Sequence, residues 1–231
     1  MGHAIIENIH SFLALGGPVV ALLLAISVVA LALILLKIVQ FRRDGVGAHG
    51  RARRAIALWA RGDKGAARQS LEGGRSAVER CVGLAMRLAA GGKTDKTAIE
   101  EDVSRLALAR LHDLQGGFRA LDAIAQIAPL LGLFGTVLGM IEAFRQLQAA
   151  GTAVDPSALA GGIWVALLTT AVGLAVAMPV SLALTWLESR VEDERVAVET
   201  LTGAVFSSGA TAHEGEDAAP LAAGGGLEHA H

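Results

Sequence analysis

Three long apolar stretches alternate with polar segments along this chain. They cover residues 18–36, 124–141 and 161–187, and none of them contains Asp, Glu, Lys, Arg or His. A helix of about 20 apolar residues is long enough to cross the hydrocarbon core of a bilayer. The pattern therefore predicts three transmembrane helices. The third stretch is longer than the core is thick, so we expect that helix to tilt or to project from the membrane.

The first apolar stretch could also be a signal peptide. Such a peptide has a basic start, a shorter apolar core and a cleavage site of small residues. Here the preceding residues contain Glu7 but no Lys or Arg, and the stretch runs directly into Lys37. These features favour a helix that is retained in the membrane.

The polar segment 37–123 has the pattern of several helices, broken by pairs of glycines. Thr97 is followed three residues later by Glu100, which is typical of a capping box at a helix start. Only Gly116 and Gly117 interrupt the path from there to the second apolar stretch. We therefore expect one long helix that continues into the membrane.

The third apolar stretch is expected to continue in the same way, as a solvated helix over residues 188–206. Residues 207–231 are rich in Ala, Gly and Ser with scattered acids, a composition that predicts a disordered tail.

Basic residues predict the orientation in the membrane. Residues 37–123 hold 17 of the 20 Lys and Arg, whereas residues 1–17 hold none and residues 142–160 hold one. Short segments rich in Lys and Arg stay on the cytoplasmic side. We expect segment 37–123 and the C-terminus to be cytoplasmic, and the N-terminal segment and the 142–160 loop to lie on the opposite side.

Composition argues against several other classes of function. The chain is 53% hydrophobic with a mean hydropathy of +0.51, and its net charge of -2 and its 4% of aromatic residues give no sign of nucleic-acid binding. A single cysteine, Cys81, excludes an intrachain disulfide. No metal-ligand spacing or nucleophile–base set is present, so we expect no metal, no cofactor and no enzymatic activity. GGKT at 91–94 lacks the first glycine and the preceding strand of a phosphate-binding loop, so we interpret it as a turn between helices.

Small residues recur at helical spacing in the second and third stretches. Gly132 and Thr136 are four residues apart, as are Gly135 and Gly139. A second series comprises Ala166, Thr170, Gly173 and Ala177. Small residues allow helices to approach closely in lipid. Two interpretations stay open: a packing seam whose threonines bond to their own backbone, or a hydroxyl-lined polar path.

Two segments resemble a known family. APLLGLFGTVLGMIEAF at 128–144 and GGIWVALLTTAVGLAVAMP at 161–179 resemble the paired motifs of the ExbB/TolQ/MotA family of proton-channel subunits. The resemblance covers most of residues 12–200. Three predicted spans are similar to the ExbB/TolQ branch rather than to the four-span flagellar stators, although VALLTT is similar to some stator sequences.

The resemblance implies an all-α integral membrane protein with long cytoplasmic extensions of its second and third transmembrane helices. Five copies would form a pore in the bacterial inner membrane around a single-span partner of the ExbD/TolR type, which brings a membrane Asp. The assembly would use the proton-motive force to drive a TonB- or TolA-like periplasm-spanning protein.

The resemblance also implies roles for individual residues. Thr136 and Thr170 match the positions that face the partner's Asp, with Thr169 beside them, and their hydroxyls would stabilise that Asp or relay its proton. The implied helix-packing residues are Gly132, Gly135, Gly139, Gly173, Ala177, Pro129 and Pro179.

One position departs from the family pattern. Many members have Glu where this chain has Val165, and Glu142 and Glu188 lie near the ends of the spans and cannot simply replace it. Two other functions remain as alternatives: a motility stator that uses H⁺ or Na⁺, and a non-conducting scaffold that assembles through its glycine seams.

Overall fold

A computed structural model describes residues 2–91, 95–150 and 156–216 of the chain. All regular structure in these residues is helical, as the sequence predicts. The helices are α1 (Gly2–Asp44), α2 (Gly50–Ala60), α3 (Lys64–Ser70), α4 (Ala77–Ala90), α5 (Lys96–Gln115), α6 (Phe118–Ala150) and α7 (Pro156–Glu216).

Three helical stretches are long and apolar enough to cross a membrane: Gly17–Asp44, Lys96–Ala149 and Leu159–Ser207. Each contains one of the three predicted apolar stretches. The prediction of an all-helical chain with three membrane-spanning helices is therefore confirmed. Helix α7 has 61 residues, and at 1.5 Å per residue it is about three times as long as the membrane core is thick.

The chain divides into two compact units. The first unit consists of Met1–Arg43 and Leu114–Val191, and the second consists of Asp44–Asp113 and Glu192–His231. The first unit contains the apolar stretches. The second contains α2, α3, α4, nearly all of α5 and the C-terminal part of α7.

The three helices of the first unit share a buried cluster. Leu23 of α1, Ala128 of α6 and Val176 and Ala177 of α7 belong to it. Many large apolar side chains of the same helices are instead exposed. They include Val28, Leu31, Leu36, Leu130, Phe134, Trp164, Leu167 and Leu182. Large exposed apolar surfaces indicate faces that lipid or other protein chains cover.

Helix α1 is bent near its first third. Gly17 has φ 65° and ψ -168°, a conformation outside the helical region that glycine adopts without strain. Pro18 follows directly. Proline fits the first turn of a helix because its missing N–H has no partner to lose there. The apolar part of α1 thus starts anew at Pro18, where the first apolar stretch begins.

The expected continuous helix into the second span is wrong, because the chain turns between α5 and α6. Gly117 has φ 84°, a left-handed conformation that ends α5. The carbonyl oxygen of Leu114, which the turn leaves without a helical partner, accepts a hydrogen bond of 3.2 Å from Lys37 Nζ. The same ammonium lies 5.7 Å from the centre of the Phe118 ring. Contacts with α1 therefore stabilise a turn that the local sequence marked only by its two glycines.

The start of α5 also differs from the prediction. Asp95, not Thr97, caps the helix: its Oδ1 accepts hydrogen bonds from the backbone N–H of Thr97 at 3.0 Å and of Ala98 at 3.4 Å. Aspartate is as good an N-cap as serine or threonine, and here it comes first along the chain. The predicted turn at GGKT lies mostly outside the described residues.

Helices α6 and α7 extend into segments that were predicted to be a loop and a disordered tail. In the segment 142–160 that was expected to be a loop, α6 continues to Ala150 and α7 begins at Pro156. In the segment 207–231 that was expected to be disordered, α7 continues to Glu216. Residues 142–150 are mostly good helix formers such as Ala, Glu, Gln and Leu, which explains the extension of α6. The remainder of each segment lies outside the described residues.

The second unit has a well-packed core. Its buried centre contains Trp59, Val78, Met86 and Val103, together with Val198 of α7. A fully buried carboxylate, Glu194, bonds to the turn that precedes α2: its Oε2 accepts from the backbone N–H of Gly47 at 3.0 Å and lies 2.8 Å from His49 Nε2. The buried Oε1 has no hydrogen-bond partner among the residues that the structure describes.

Candidate functional site

Glycines of α6 lie directly against α7 in the first unit. A methyl group added at Gly135 would lie 2.6 Å from Thr169 Cβ, and one added at Gly139 would lie 3.0 Å from Ala166 Cβ. At Gly132 an added methyl would lie 2.9 Å from the carbonyl oxygen of Thr169. These distances leave no room for a larger side chain, so the predicted small-residue faces do meet each other.

The same seam continues in both directions along the two helices. At one end, a methyl group on Gly173 would lie 2.6 Å from the carbonyl oxygen of Ala128. At the other end, a methyl group on Gly162 would lie 2.6 Å from Ala143 Cβ. Sequence reasoning did not assign Gly162, Ala128 or Ala143 to the seam. Gly162 lies four residues before Ala166, and this helical spacing could have indicated that the seam extends to Gly162.

Thr169 forms a hydrogen bond across the seam. Its side chain is 2% exposed, and its Oγ1 lies 2.7 Å from the carbonyl oxygen of Ala166 on its own helix and 3.1 Å from that of Gly132 on α6. One hydroxyl proton serves both acceptors. The absence of a side chain at Gly132 and Gly135 allows this approach. Thr169 therefore links the two helices as well as lying beside the predicted polar path.

Other hydroxyls of the spans bond within their own helices. Thr136 Oγ1 donates to the carbonyl oxygen of Leu133 at 2.7 Å, Ser27 Oγ to that of Leu24 at 2.8 Å, and Thr185 Oγ1 to that of Ser181 at 3.0 Å. This is the common arrangement for hydroxyl side chains in membrane helices. At these positions the structure matches the interpretation of threonines bonded to their own backbone.

Thr170 differs from the other threonines. Its Oγ1 is buried, yet it has no hydrogen-bond partner among the residues that the structure describes. A hydroxyl withdrawn from water without a partner costs roughly 1–3 kcal/mol. Such groups are rare in native proteins, and each one calls for a physical reason such as an unseen partner. Thr170 Oγ1 is therefore the hydroxyl of the seam whose hydrogen-bonding capacity is unused in the described structure.

Both predicted proline positions lie inside helices. Pro129 falls within α6 and Pro179 within α7, and each helix continues past its proline. Membrane helices tolerate proline when neighbouring groups satisfy the freed carbonyls or when the site is buried among other helices. Pro129 is next to Ala128, whose carbonyl oxygen faces Gly173. Ala177, two residues before Pro179, is buried in a cluster with Leu23 and Val176.

A cavity of about 590 Å³ lies in the first unit at the C-terminal end of α6 and the N-terminal part of α7. Val165 lines it together with Thr169. Glu142 and Gln146 of α6 line it as well, and Gln146 Nε2 donates to Glu142 Oε1 at 3.3 Å. Glu142 and Val165 lie far apart in the sequence, so their position in one cavity could not be predicted from it.

Within the described residues, no group of three or more His, Cys, Asp or Glu could hold a metal ion. Cys81 is buried in the second unit, and burial raises the pKa of its thiol to about 11. The negative charge of Glu194 adds to that increase, and the guanidinium of Arg110 opposes it. A thiol with such a pKa is protonated at neutral pH and is therefore a poor nucleophile or metal ligand.

Comparison with known proteins gives the same family as the two motifs. The model of the MotA/TolQ/ExbB proton channel family matches residues 75–200, which is more than half of the chain. The match includes all of α6, all of the third apolar stretch and the first part of its continuation.

Individual relatives carry related names. A biopolymer transport protein named exbB1 from Vibrio cholerae is 42% identical over 97 residues, which is 42% of this chain and 42% of that protein. A protein described as an ExbB homolog from Methanothermobacter thermautotrophicus is 33% identical over 124 residues, or 54% of this chain and 42% of that protein. A biopolymer transport protein ExbB from Neisseria gonorrhoeae is 44% identical over 71 residues, or 31% and 32%.

The matched segments span less than half the length of these relatives. The segment that the family model matches contains the seam in which small residues of α6 and α7 meet. Together, the family match and the relatives show that this multi-pass membrane chain belongs to the MotA/TolQ/ExbB proton channel family and is most like its ExbB members.

Proposed function

We propose that this chain forms the wall of a proton channel in the bacterial inner membrane and works as part of a motor. Five copies surround a single-span partner of the ExbD/TolR type, and the complex uses the proton-motive force to drive transport across the outer membrane or another envelope process. The names of the relatives, which refer to biopolymer transport, support this branch over a motility stator.

The unpartnered hydroxyl of Thr170 is the observation that carries the proposal. The three apolar stretches contain no titratable side chain, so the chain needs a proton carrier from another protein. A carboxylic acid in a partner helix supplies that carrier, and Thr170 Oγ1, which is buried within this chain, would bond to it once the surrounding helices shift. The N-terminus lies on the periplasmic side and the C-terminus on the cytoplasmic side, in agreement with the Lys and Arg distribution.

The mechanism follows from the charge of the carrier. A carboxylate at the seam is stabilised by hydroxyl donors, whereas the protonated acid is neutral and can pass the apolar wall. Each proton that enters and leaves thus moves the partner relative to the surrounding chains. A unit charge that crosses 100 mV releases about 2.3 kcal/mol, which is enough to bias such a step.

Proton flux into liposomes tests the proposal. The chain is reconstituted with a single-span partner of the ExbD/TolR type, and flux is followed with an internal pH-sensitive dye under an imposed potential. We expect flux with the intact partner and little flux when the partner's membrane Asp is changed to Asn. Equal flux in both samples, or none with the intact complex, contradicts the proposal. Exchange of Na⁺ for K⁺ in the buffer checks that the ion is H⁺.

A further inference from the structure

The cavity beside the seam has three walls. Gly17, Pro18 and Val19 of α1 form one wall, and residues of α6 and α7 form the other two. The bend of α1 at Gly17 lies at this cavity. Gly135, Gly139 and Gly162 are also among its lining residues, and their missing side chains leave much of the space open. Its volume of about 590 Å³ is large enough for several water molecules.

The polar groups of the cavity come from three side chains. Glu142 and Gln146 lie near the C-terminal end of α6 and are both exposed, whereas Thr169 is buried in the seam. An apolar cavity of this size remains dry, but water enters when it can bond to two or more polar groups. The carboxylate, the amide and the hydroxyl provide such groups from the exposed end to the seam.

Among the described residues that line the cavity, Glu142 is the one titratable side chain. Its neighbour along the helix, Arg145, is exposed, and no ion pair joins the two in the described structure. The carboxylate can therefore accept a proton from water and return it to another water molecule. Ionisable residues that face water-filled cavities in membrane proteins typically mark ion or proton paths.

We propose that this cavity is the entrance through which protons reach the seam, and that Glu142 is the carboxylate that exchanges protons there. The proton passes from bulk water to Glu142, and from Glu142 through cavity water toward the Thr169 end. The inference rests on the proposed channel function and on the orientation that places this end of α6 outside the cytoplasm. Val165 lines the same space, so a carboxylate at that position would lie in the same cavity.

Substitution of Glu142 tests the role of the carboxylate in the reconstituted complex with its partner. Glu142→Gln keeps the size and the hydrogen-bonding capacity of the side chain but cannot exchange protons, so we expect proton flux to fall about tenfold or more. Adding Val165→Glu to Glu142→Gln should restore a large part of that flux. Glu188→Gln, an exposed site on α7 beyond the third apolar stretch, is the matched control and should leave flux unchanged.

The outcomes separate this inference from the proposed function. If the wild-type complex conducts and Glu142→Gln conducts equally well, the entrance role is wrong and the channel stands. If the wild-type complex does not conduct, the channel function itself fails. A loss of flux in Glu188→Gln as large as that in Glu142→Gln also overturns the specific role of Glu142.

Thiol labelling tests the water content of the cavity without any measurement of activity. On a Cys81→Ser background, Val165→Cys should react with a membrane-impermeant thiol reagent added to the outer side, because cavity water would allow the thiolate to form. Leu182→Cys, which replaces a 73% exposed apolar side chain of the same helix, should remain unlabelled in lipid. An unreactive cysteine at position 165 would show that the cavity is dry and would overturn the inference.

Discussion

Thr169 Oγ1 lies 3.1 Å from the carbonyl oxygen of Gly132, so a side chain of α7 bonds to the backbone of α6 across the seam. The next residue, Thr170, has a buried hydroxyl without a partner in the described structure. Adjacent threonines of one motif therefore have different environments. This difference assigns helix linkage to Thr169, whereas the hydroxyl of Thr170 makes no such link in the described structure.

Thr169→Val should weaken the packing of α6 on α7. Valine has nearly the same shape but cannot donate the hydrogen bond to Gly132, and such interhelical bonds contribute about 1 kcal/mol in membrane proteins. We expect a lower thermal midpoint in detergent, measured by the loss of helical circular dichroism. Thr169→Ser keeps the hydroxyl and should lose less stability. An unchanged midpoint for the valine variant would show that the bond contributes nothing.

Gly173→Ala should separate the two helices. The added methyl would lie 2.6 Å from the carbonyl oxygen of Ala128 and 3.1 Å from Gly132 Cα, and both are backbone atoms that cannot move aside alone. Overpacking of this kind costs about 1–3 kcal/mol.

Gly161→Ala is the matched control for Gly173→Ala, because a methyl at Gly161 meets no atom within 4 Å. It should be neutral or slightly stabilising, since alanine favours the helix. The two variants are compared by their thermal midpoints and their gel-filtration profiles. Equal midpoints for both would argue against close contact at the seam.

His49→Ala should destabilise the second unit. Glu194 is fully buried, and loss of the imidazole leaves its Oε2 with the Gly47 N–H as the remaining donor in the described structure. A buried charged group that loses a partner costs about 2 kcal/mol or more.

Glu192→Ala provides the control for His49→Ala on the same helix as Glu194. Glu192 is 64% exposed and pairs only loosely with Arg195, at 3.9 Å, so its loss should have almost no effect. Protease resistance of the region around residue 47 reports local opening. A His49 variant as resistant as the wild type would show that this contact does not hold the turn.

Cys81 should react slowly with iodoacetamide in the folded protein. Burial raises its pKa from 9.0 to about 11, so the thiolate fraction near pH 8 falls about a hundredfold relative to an ordinary thiol. The rate should rise with pH, because the thiolate is the reactive form. Mass spectrometry of native and denatured samples measures both rates. Rapid alkylation of the native protein would mean that the thiol is exposed.

Periodicity along the sequence was enough to predict the helical fold and the three apolar spans, because uncharged apolar stretches of this length are typical of transmembrane helices. It was not enough for the turn at Gly117, which Lys37 stabilises from a distant part of the chain. Helix α5 begins two residues earlier than the capping-box pattern predicts. Asp95, rather than Thr97, is therefore in the position that caps the helix.

At the candidate site, helical spacing correctly indicated that glycines and small residues share faces, but it could not say which face meets which. Thr169 and Thr170 are adjacent and chemically identical, so their different hydrogen bonding arises only from the packing against Gly132 and Gly135. Glu142 and Val165 are 23 positions apart in the sequence, and only the packing of α6 on α7 brings them to one cavity.

Proton flux through the complex of Thr170→Val with its single-span partner is the decisive measurement for the proposed channel wall. Valine keeps the packing volume and removes only the unpartnered hydroxyl, so the thermal midpoint of the chain alone should stay the same or rise. We expect the flux to fall by about tenfold or more, as happens when a positioned donor to a proton carrier is lost. Wild-type flux from a correctly assembled Thr170→Val complex would contradict the role of this hydroxyl.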